Sequence, residues 1–526
     1  MTLHGKLFIG STLATGNGDT TRPTSPLDNR LLEPGFHQAA ETDVDAAMSL
    51  AEEAFTAYRR TSGEQRAGFL EAMSNEIMEL GDALIDRGHL ETGLPKPRLV
   101  GERGRTCGQL KMFADLVRDG SWTDARIDTA LPDREPLPKP DLRRMLSPLG
   151  PVVVFGASNF PLAFSVAGGD TASALAVGCP VVVKAHSAHP GTAELVATAI
   201  GKAVAGCGMP PGVFSMLHGR GSVVGIALVK HPLTCAAGFT GSREGGRALF
   251  DAAVARPVPI PVFAEMSSLN PVFLLPEALQ RRSEAIAEGL TESFTLGVGQ
   301  FCTKPGLVFG VSGDALTRFQ EQLCARVTAA APATMLHAGI CATFHEGLSH
   351  ARQVSGASVL AESSQAADPG QTHGEPVVMQ TDAETFLSQP QLAKEVFGPF
   401  TLVVAGQSIE ELEKVAAGLE GQLTATLHGT EADLAEAGGL VRILERKAGR
   451  LIVNGFPTGV EVCPSMNHGG PYPATTDARF TSVGTAAIQR WARPICYQDF
   501  PAELLPAELQ DSNPRGVRQL RDGVVS

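Results

Sequence analysis

The chain has 526 residues, 43% apolar and 19% charged, a globular balance with room for two to four domains of about 100–200 residues each. Its net charge of −13 and aromatic content of 6% exclude an ordinary binder of nucleic-acid phosphates or of stacked single strands. No apolar run of about 18 residues occurs, and the first residues lack a signal-type apolar stretch, so no membrane partner and a cytoplasmic location are expected. The 9 cysteines are scattered without a C-x-x-C pair, which predicts a reducing compartment, no disulfide framework and no metal.

In chain order, apolar spacing predicts helices over 42–90, with Ala67 to Leu84 carrying one stripe of Leu70, Met73, Ile77, Leu80 and Leu84. A Pro- and Asp-rich connection from 119 to 151 leads through an exposed strand at Asp141 to Leu146. From Val152 the pattern alternates. Strands are expected at Val152 to Gly156, Val181 to Lys184, Val213 to Leu217, Cys235 to Phe239 and Val262 to Glu265. The helices between them are expected at Phe164 to Val177, Thr192 to Val204, Val223 to Val229 and Glu244 to Ala255. Apolar strands alternating with helices imply a parallel sheet covered on both faces. A second α/β region from Asn270 to about Ala448 repeats the alternation. Gly459 to Thr485 reads as an ordered Gly/Pro/Thr-rich loop, Ala486 to Trp491 as a strand, and the tail after Pro501 has no readable pattern.

Several residues stand where chemistry is possible. Cys302 follows the glycine turn Gly297-Val298-Gly299-Gln300. It is either a small buried side chain or a nucleophile presented to a cleft. Glu265, Asn159 and Lys184 sit at or just beyond the carboxyl ends of parallel strands, where ligands bind in such sheets. A solvated acid, a turn asparagine and a surface lysine are the plainer alternatives. Phe239-Thr240-Gly241-Ser242 runs from strand into helix, a geometry suited to an anion. G-x-G-x-x-G, the P-loop pattern, H-E-x-x-H and Gly-x-Ser-x-Gly are all absent from the sequence. His186 and His189 precede Pro190-Gly191, so a paired metal face there is not expected.

Together these segments resemble the aldehyde dehydrogenase superfamily from about residue 40 to 490. The series is Glu91-Thr92-Gly93-Leu94-Pro95, Ser158-Asn159-Phe160-Pro161, Val183-Lys184, Phe239-Thr240-Gly241-Ser242, Glu265 and Gly299-Gln300-Phe301-Cys302. It ends with Glu395-Val396-Phe397-Gly398-Pro399 and Leu451-Ile452-Val453-Asn454-Gly455. The resemblance implies two Rossmann-like parallel-sheet domains and a small β oligomerisation domain. The nucleotide domain would comprise 1–135 and 151–265, the catalytic domain 266–455, and the oligomerisation strands 136–150 and 480–500. By the same resemblance Cys302 is the nucleophile, Glu265 the general base and Asn159 an oxyanion donor. Lys184 and Glu395 hold the two riboses, Phe397 lies beside the latter, and Gly241 and Ser242 approach the pyrophosphate. The departures are Ala157-Ser158 for Pro-Trp, Met266-Ser267-Ser268 for Leu-Gly-Gly, and Ser187 for an acid.

Lys184-Ala185-His186-Ser187-Ala188-His189-Pro190 and Asn467-His468-Gly469-Gly470-Pro471-Tyr472-Pro473 resemble the branch that oxidises 2-oxoglutarate semialdehyde. The NADP-linked long-chain aldehyde dehydrogenases are near it. Ser187 in place of a repulsive acid, with Arg220 in the next loop, leads to the expectation that NADP is preferred and NAD still accepted. The partner implied is a small-molecule aldehyde, within a homodimer or homotetramer. Arg103 and Arg479 are the cations considered for a distal carboxylate, and Phe160, Phe164 and Phe301 the candidate tunnel lining. A CoA-acylating enzyme is disfavoured by Glu265, and a non-redox thiol hydrolase by Lys184 and Glu395.

Overall fold

The structure is a computed structural model that describes residues 2–368 and 370–525. Its first sheet runs Val262–Glu265, Ala236–Thr240, Val152–Phe155, Val181–Lys184, Phe214–Leu217, Leu7–Ile9 and Thr12–Ala14. The first five are parallel, and Leu7–Ile9 joins antiparallel to Phe214–Leu217. Val152, Val153, Val181, Val182 and Val183 are wholly buried. Helices cover both faces, which is why these strands are apolar throughout rather than alternating. The chain leaves Val152–Phe155 toward Val181–Lys184 and Phe214–Leu217, then returns to its other side with Ala236–Thr240. That reversal opens a crevice at the strand ends, the usual ligand position in an open α/β sheet.

The second sheet runs Ser358–Glu362, Val377–Asp382, Phe400–Gly406, Leu307–Val311, Val272–Leu274, Gln422–His428 and Ala448–Val453. It is parallel except for the edge strand Ser358–Glu362. A third, five-stranded sheet comprises Ala492–Gln498, Leu142–Pro148, Ala125–Asp128, Gln519–Arg521 and Val524–Val525.

Several elements differ from the sequence reading. The stripe from Ala67 to Leu84 is split: one helix is Gly63–Glu79 and the next Gly81–Thr92, because Gly81 takes φ of 54°. The helix expected from Phe164 begins only at Gly169. Ala486 to Trp491 is not a strand. Thr485–Trp491 is a 3₁₀ turn and the strand is Ala492–Gln498. The turn lets Ala487, Ile488 and Trp491 all enter the core, and the indole Nε1 donates to Ser173 Oγ at 2.8 Å. The tail without a readable pattern is structured: Leu505 and Leu509 pack on Ala125 and Ile127, and Gln519–Arg521 runs parallel to Ala125–Asp128.

Candidate active site

Glu265 ends its strand paired with Thr240 on one side and bridged to Thr475 on the other. The Gly/Pro/Thr-rich loop therefore lies along the open edge of the first sheet. Met266 N–H donates to Ala474 O at 2.8 Å, and Thr476 N–H to Ala264 O at 3.1 Å. This docking delivers His468 and Ser482 to the base. Ser482 Oγ donates to Glu265 Oε2 at 2.6 Å. His468 Nε2 lies 2.9 Å from Glu265 Oε1 and 3.3 Å from Cys302 Sγ. The ring nitrogen is aimed at the sulfur, so Oε1 has no aligned hydrogen-bond donor although the imidazole is beside it.

Cys302 sits on a strained turn. Gly297, Val298 and Gly299 have φ of 56°, 58° and 64°, and a β-branched residue there is costly. Gly299 is obligatory, since a Cβ would fall 2.2 Å from Gly398 O. The turn is pinned from outside. Asn270 Nδ2 donates to Cys302 O at 2.8 Å and to Lys304 O at 3.0 Å. Asn159 Nδ2 donates to Gln300 O at 3.1 Å, leaving its second amide hydrogen. Arg98 Nη2 holds the Asn159 carbonyl at 2.8 Å.

Burial pushes the Cys302 thiol well above its usual range, and the Glu265 charge adds to this while Arg105 opposes it. At rest the sulfur is protonated and needs a base to become a nucleophile. Burial would raise the Glu265 carboxyl as well. The neighbouring His468 and the hydrogen bonds around the carboxylate outweigh burial and hold it below its ordinary value. A protonated thiol and an ionised carboxylate thus flank one imidazole, an arrangement that can move a proton off sulfur. The three donor atoms lie within 4.8 Å of one another. Their S, N and O chemistry would also suit a zinc-like ion.

The other expected residues lie on the strand ends and loops of the two large sheets. Lys184 is buried, and its ammonium is pushed down to about 8 by that burial, with no carboxylate ion-paired to it among the described residues. Lys184 pairs with Leu217 across the strands; Ser187 and Arg220, each three residues further on, are exposed on adjacent loops. Ser242 caps the Arg243–Val254 helix, accepting from Gly245 N–H at 3.1 Å. A Cβ on Gly241 would meet Phe239 Cζ at 2.6 Å. An unpaired buried cation and a capped helix N-terminus fit the phosphates and ribose of a dinucleotide. Glu395 is pushed up to about 6 by burial, opposed by Lys304 and by donors from Ser267 and Ser268. The hydroxyl of the unusual Ser267 therefore serves this carboxyl, while the Ser268 hydroxyl donates to Asn270 and Gln422. Phe397 is part-buried beside it. Lys304 is itself pushed down to about 8 by burial, and its Nζ donates to Val396 O and Phe400 O at 3.1 and 2.9 Å.

The considered carboxylate cations lie elsewhere. Arg103 donates to Gly81 O at 2.8 Å, and Arg479 is exposed against Asp477. Phe160, Phe164 and Phe301 do meet one another, with ring centroids 5.4 and 5.3 Å apart. Sequence reasoning gave no role to His468, Ser482 or Asn270. The only signal for His468 was a histidine set in the Gly-rich stretch Asn467 to Gly470.

Comparison with known proteins accords with this geometry. Residues 15–472 match the model of the aldehyde dehydrogenase family. The alpha-ketoglutaric semialdehyde dehydrogenase 2 of Azospirillum brasilense is 54% identical over 525 residues, covering 99% of each chain. The alpha-ketoglutaric semialdehyde dehydrogenase of Acinetobacter baylyi is 48% identical over 524 residues, again covering 99% of each. The betaine aldehyde dehydrogenase of Staphylococcus aureus, solved with NAD+, superimposes with a TM-score of 0.81 at 19% identity, covering 95% of this chain and 96% of that one. The chain belongs to the aldehyde dehydrogenase family and is an oxidoreductase acting on an aldehyde group.

Proposed function

We propose that the protein oxidises 2-oxoglutarate semialdehyde to 2-oxoglutarate, with NADP preferred over NAD. The observation that carries the chemistry is His468 Nε2 lying 3.3 Å from the Cys302 sulfur and 2.9 Å from the Glu265 carboxylate. The full-length likeness to two semialdehyde dehydrogenases supports the substrate.

Cys302 Sγ attacks the aldehyde carbon while its proton passes to the His468–Glu265 pair. The oxyanion of the resulting thiohemiacetal takes hydrogen bonds from the Asn159 amide and the Cys302 N–H, each such donor contributing about 3–4 kcal/mol to the transition state. The dinucleotide, when bound, supplies the hydride acceptor that turns this adduct into a thioester. Glu265 then accepts a proton from water as that water attacks the thioester carbon, which releases the acid and the thiol. Lys184 and Glu395 would hold the two ribose ends of a bound dinucleotide, and Ser242 and Gly241 would let its phosphates approach the helix terminus.

Preference for NADP is supported by Ser187 standing where an acid would repel a 2′-phosphate, with Arg220 on the adjacent loop. One charged hydrogen bond of about 1.5–3 kcal/mol suffices for a tenfold preference. Ala492–Gln498 forms an edge of the third sheet, and pairing of such edges supports a homodimer or homotetramer. Nine free thiols support a reducing, cytoplasmic setting. Among the described residues no helix is long and apolar enough to cross a membrane.

The test is reduced-dinucleotide formation with the semialdehyde and with decanal, for wild type and for Cys302→Ala, Ser187→Glu and Arg220→Ala. Turnover of the semialdehyde by wild type and none by Cys302→Ala is expected. A preference for decanal overturns the substrate, and an NAD preference that neither loop substitution alters overturns the cofactor reading. Light scattering from an active monomer overturns the assembly.

A further inference from the structure

The long helix Lys96–Asp119 places Arg98, Glu102 and Arg105 on one face, at positions i, i+4 and i+7. That face looks onto the segment between Asn159 and Phe164. Glu102 is buried and its Oε1 accepts Leu162 N–H at 2.8 Å and Ala163 N–H at 3.0 Å. Arg98 is held by one hydrogen bond, from Nη2 to the Asn159 carbonyl, and has one buried nitrogen, Nη1, without a partner. Arg105 is different. Its guanidinium stacks over Phe160 and Phe164, 5.9 and 5.5 Å from their centroids. Its Nε and Nη2 are buried without a hydrogen-bond partner. No carboxylate forms an ion pair with it among the described residues. An unpaired, desolvated guanidinium is costly, and it is retained in folded proteins mostly where a ligand completes it.

Two paths fix where this cation stands. Phe164, beneath it, lies 6.4 Å from the His468 ring, and His468 Nε2 touches Cys302 Sγ. Phe160, also beneath it, lies 5.3 Å from Phe301, the residue before the nucleophile. Arg105 is thus two aromatic rings away from the reacting sulfur by either route, close enough that Cys302 and Glu265 act electrostatically on the guanidinium. A second guanidinium approaches from the other sheet. Gly449 O accepts from Asn467 Nδ2 at 2.7 Å, so Arg450 stands beside the loop that carries His468. Arg450 Nη2 donates to Pro457 O at 2.8 Å, while its Nε is buried without a partner.

We propose that Arg105 binds the 2-oxo-carboxylate end of the substrate, with Arg450 as its second cation. The proposal deepens the semialdehyde reading above and rests on it. In 2-oxoglutarate semialdehyde the carboxyl carbon is four C–C bonds from the aldehyde carbon, about 5 Å when extended. The Phe160 and Phe164 rings line the way from the sulfur to the guanidinium. With the aldehyde on Cys302 Sγ, the two methylenes lie against the Phe160 and Phe164 rings and the carboxylate reaches the fork of Arg105. A guanidinium accepts such a group with two parallel N–H donors. Arg105 is a specificity residue, and the aldehyde carbon itself never touches it.

The test compares kcat/KM for the semialdehyde with that for pentanal, an uncharged aldehyde of the same length, in wild type, Arg105→Leu, Arg105→Lys and Arg450→Leu. The ratio of the two values removes any general loss of activity. In Arg105→Leu it should fall about 10- to 150-fold, the worth of a charged hydrogen-bonded contact, mostly through KM for the semialdehyde. Arg105→Lys keeps the charge but not the fork, so it should recover part of the ratio. Because its long stem still covers the phenylalanines, it gives a reading even if Arg105→Leu does not fold. Arg450→Leu should lower the ratio by a smaller factor. A ratio unchanged in Arg105→Leu or Arg105→Lys, from a wild type that favours the semialdehyde, overturns the inference and leaves the function intact. A wild type that favours pentanal overturns both.

Discussion

Replacement of His468 by asparagine isolates the imidazole from the loop that carries it. The loop is held by main-chain bonds, His468 N–H to Thr481 Oγ1 at 2.8 Å and Ser482 N–H to His468 O at 2.9 Å, and neither involves the ring. Both the imidazole and the Glu265 carboxylate are almost wholly buried, with 1% and 3% side-chain exposure. At their 2.9 Å separation, the imidazole helps hold the Glu265 carboxyl below its ordinary value against the effect of burial. Without it, burial is opposed only by the hydrogen bonds from Ser482 and Cys302, and Glu265 titrates higher. Glu265 must be ionised to serve as base, so the acid limb of kcat/KM should move to higher pH in His468→Asn. Each unit is a tenfold loss at any pH below the limb, about 1.4 kcal/mol. On the plateau the thiol has lost its nearest proton acceptor, which should lower the rate a further ~10²- to 10⁴-fold. The assay is the pH profile of dinucleotide reduction from pH 5 to 9, with circular dichroism to confirm the fold. An acid limb that does not move, or a plateau within twofold of wild type, would refute the imidazole bridge.

Three further outcomes are expected. Glu265→Gln should acylate and then stall, giving a burst of about one reduced dinucleotide per active site followed by slow release; steady turnover near the wild-type rate would remove Glu265 from deacylation. Burial lowers His218 to about 3 and His428 to about 4, so the folded chain excludes protons that the unfolded chain binds below about 6.5. Stability is therefore full above pH 6.5 and falls on acidification toward pH 4. The loss at pH 5.5 is roughly 1.4 kcal/mol for each ring, and a denaturant midpoint unchanged between pH 7 and 5.5 would contradict it. Deleting residues from 501 onward uncovers Ala125 and Ile127 and removes the buried Leu505 and Leu509. At about 2 kcal/mol per buried leucine, the thermal midpoint should drop by several degrees, and an unchanged melt would mean that the tail is dispensable.

The five parallel strands of the first sheet were legible because each is a short unbroken apolar run between helices, whereas the antiparallel strands Leu7–Ile9 and Thr12–Ala14 were not, being short and outside the alternating pattern. Glycine turns such as Gly297 to Gly299 were legible for a related reason: close backbone approach leaves a mark in composition. His468 was not. Its partner Glu265 is far away in sequence, and the docking that joins them is a bridge between a strand end and a loop without periodicity. Arg105 was missed while Arg103 was considered, because two residues along a helix is more than half a turn. Arg103 faces Gly81 and Arg105 faces the phenylalanines, and only the rotation of the helix against its neighbours decides which one sees the cleft. The terminal strands Gln519–Arg521 and Val524–Val525 are too short and polar to announce themselves; they exist because Ala125–Asp128 offers them an edge.

The bridge between Glu265 and Thr475 has a consequence for biosynthesis. The nucleophile, its base and their shared imidazole come from three separate stretches, and the last of them includes Ser482. A chain still growing on the ribosome can fold its first sheet, and even its second, while the Cys302 turn remains without His468. The thiol then has no imidazole beside it. Proton transfer becomes available only when the closing loop has emerged and lain down along the Val262–Glu265 strand, so aldehydes in the surrounding medium meet an inert sulfur until the chain is nearly complete.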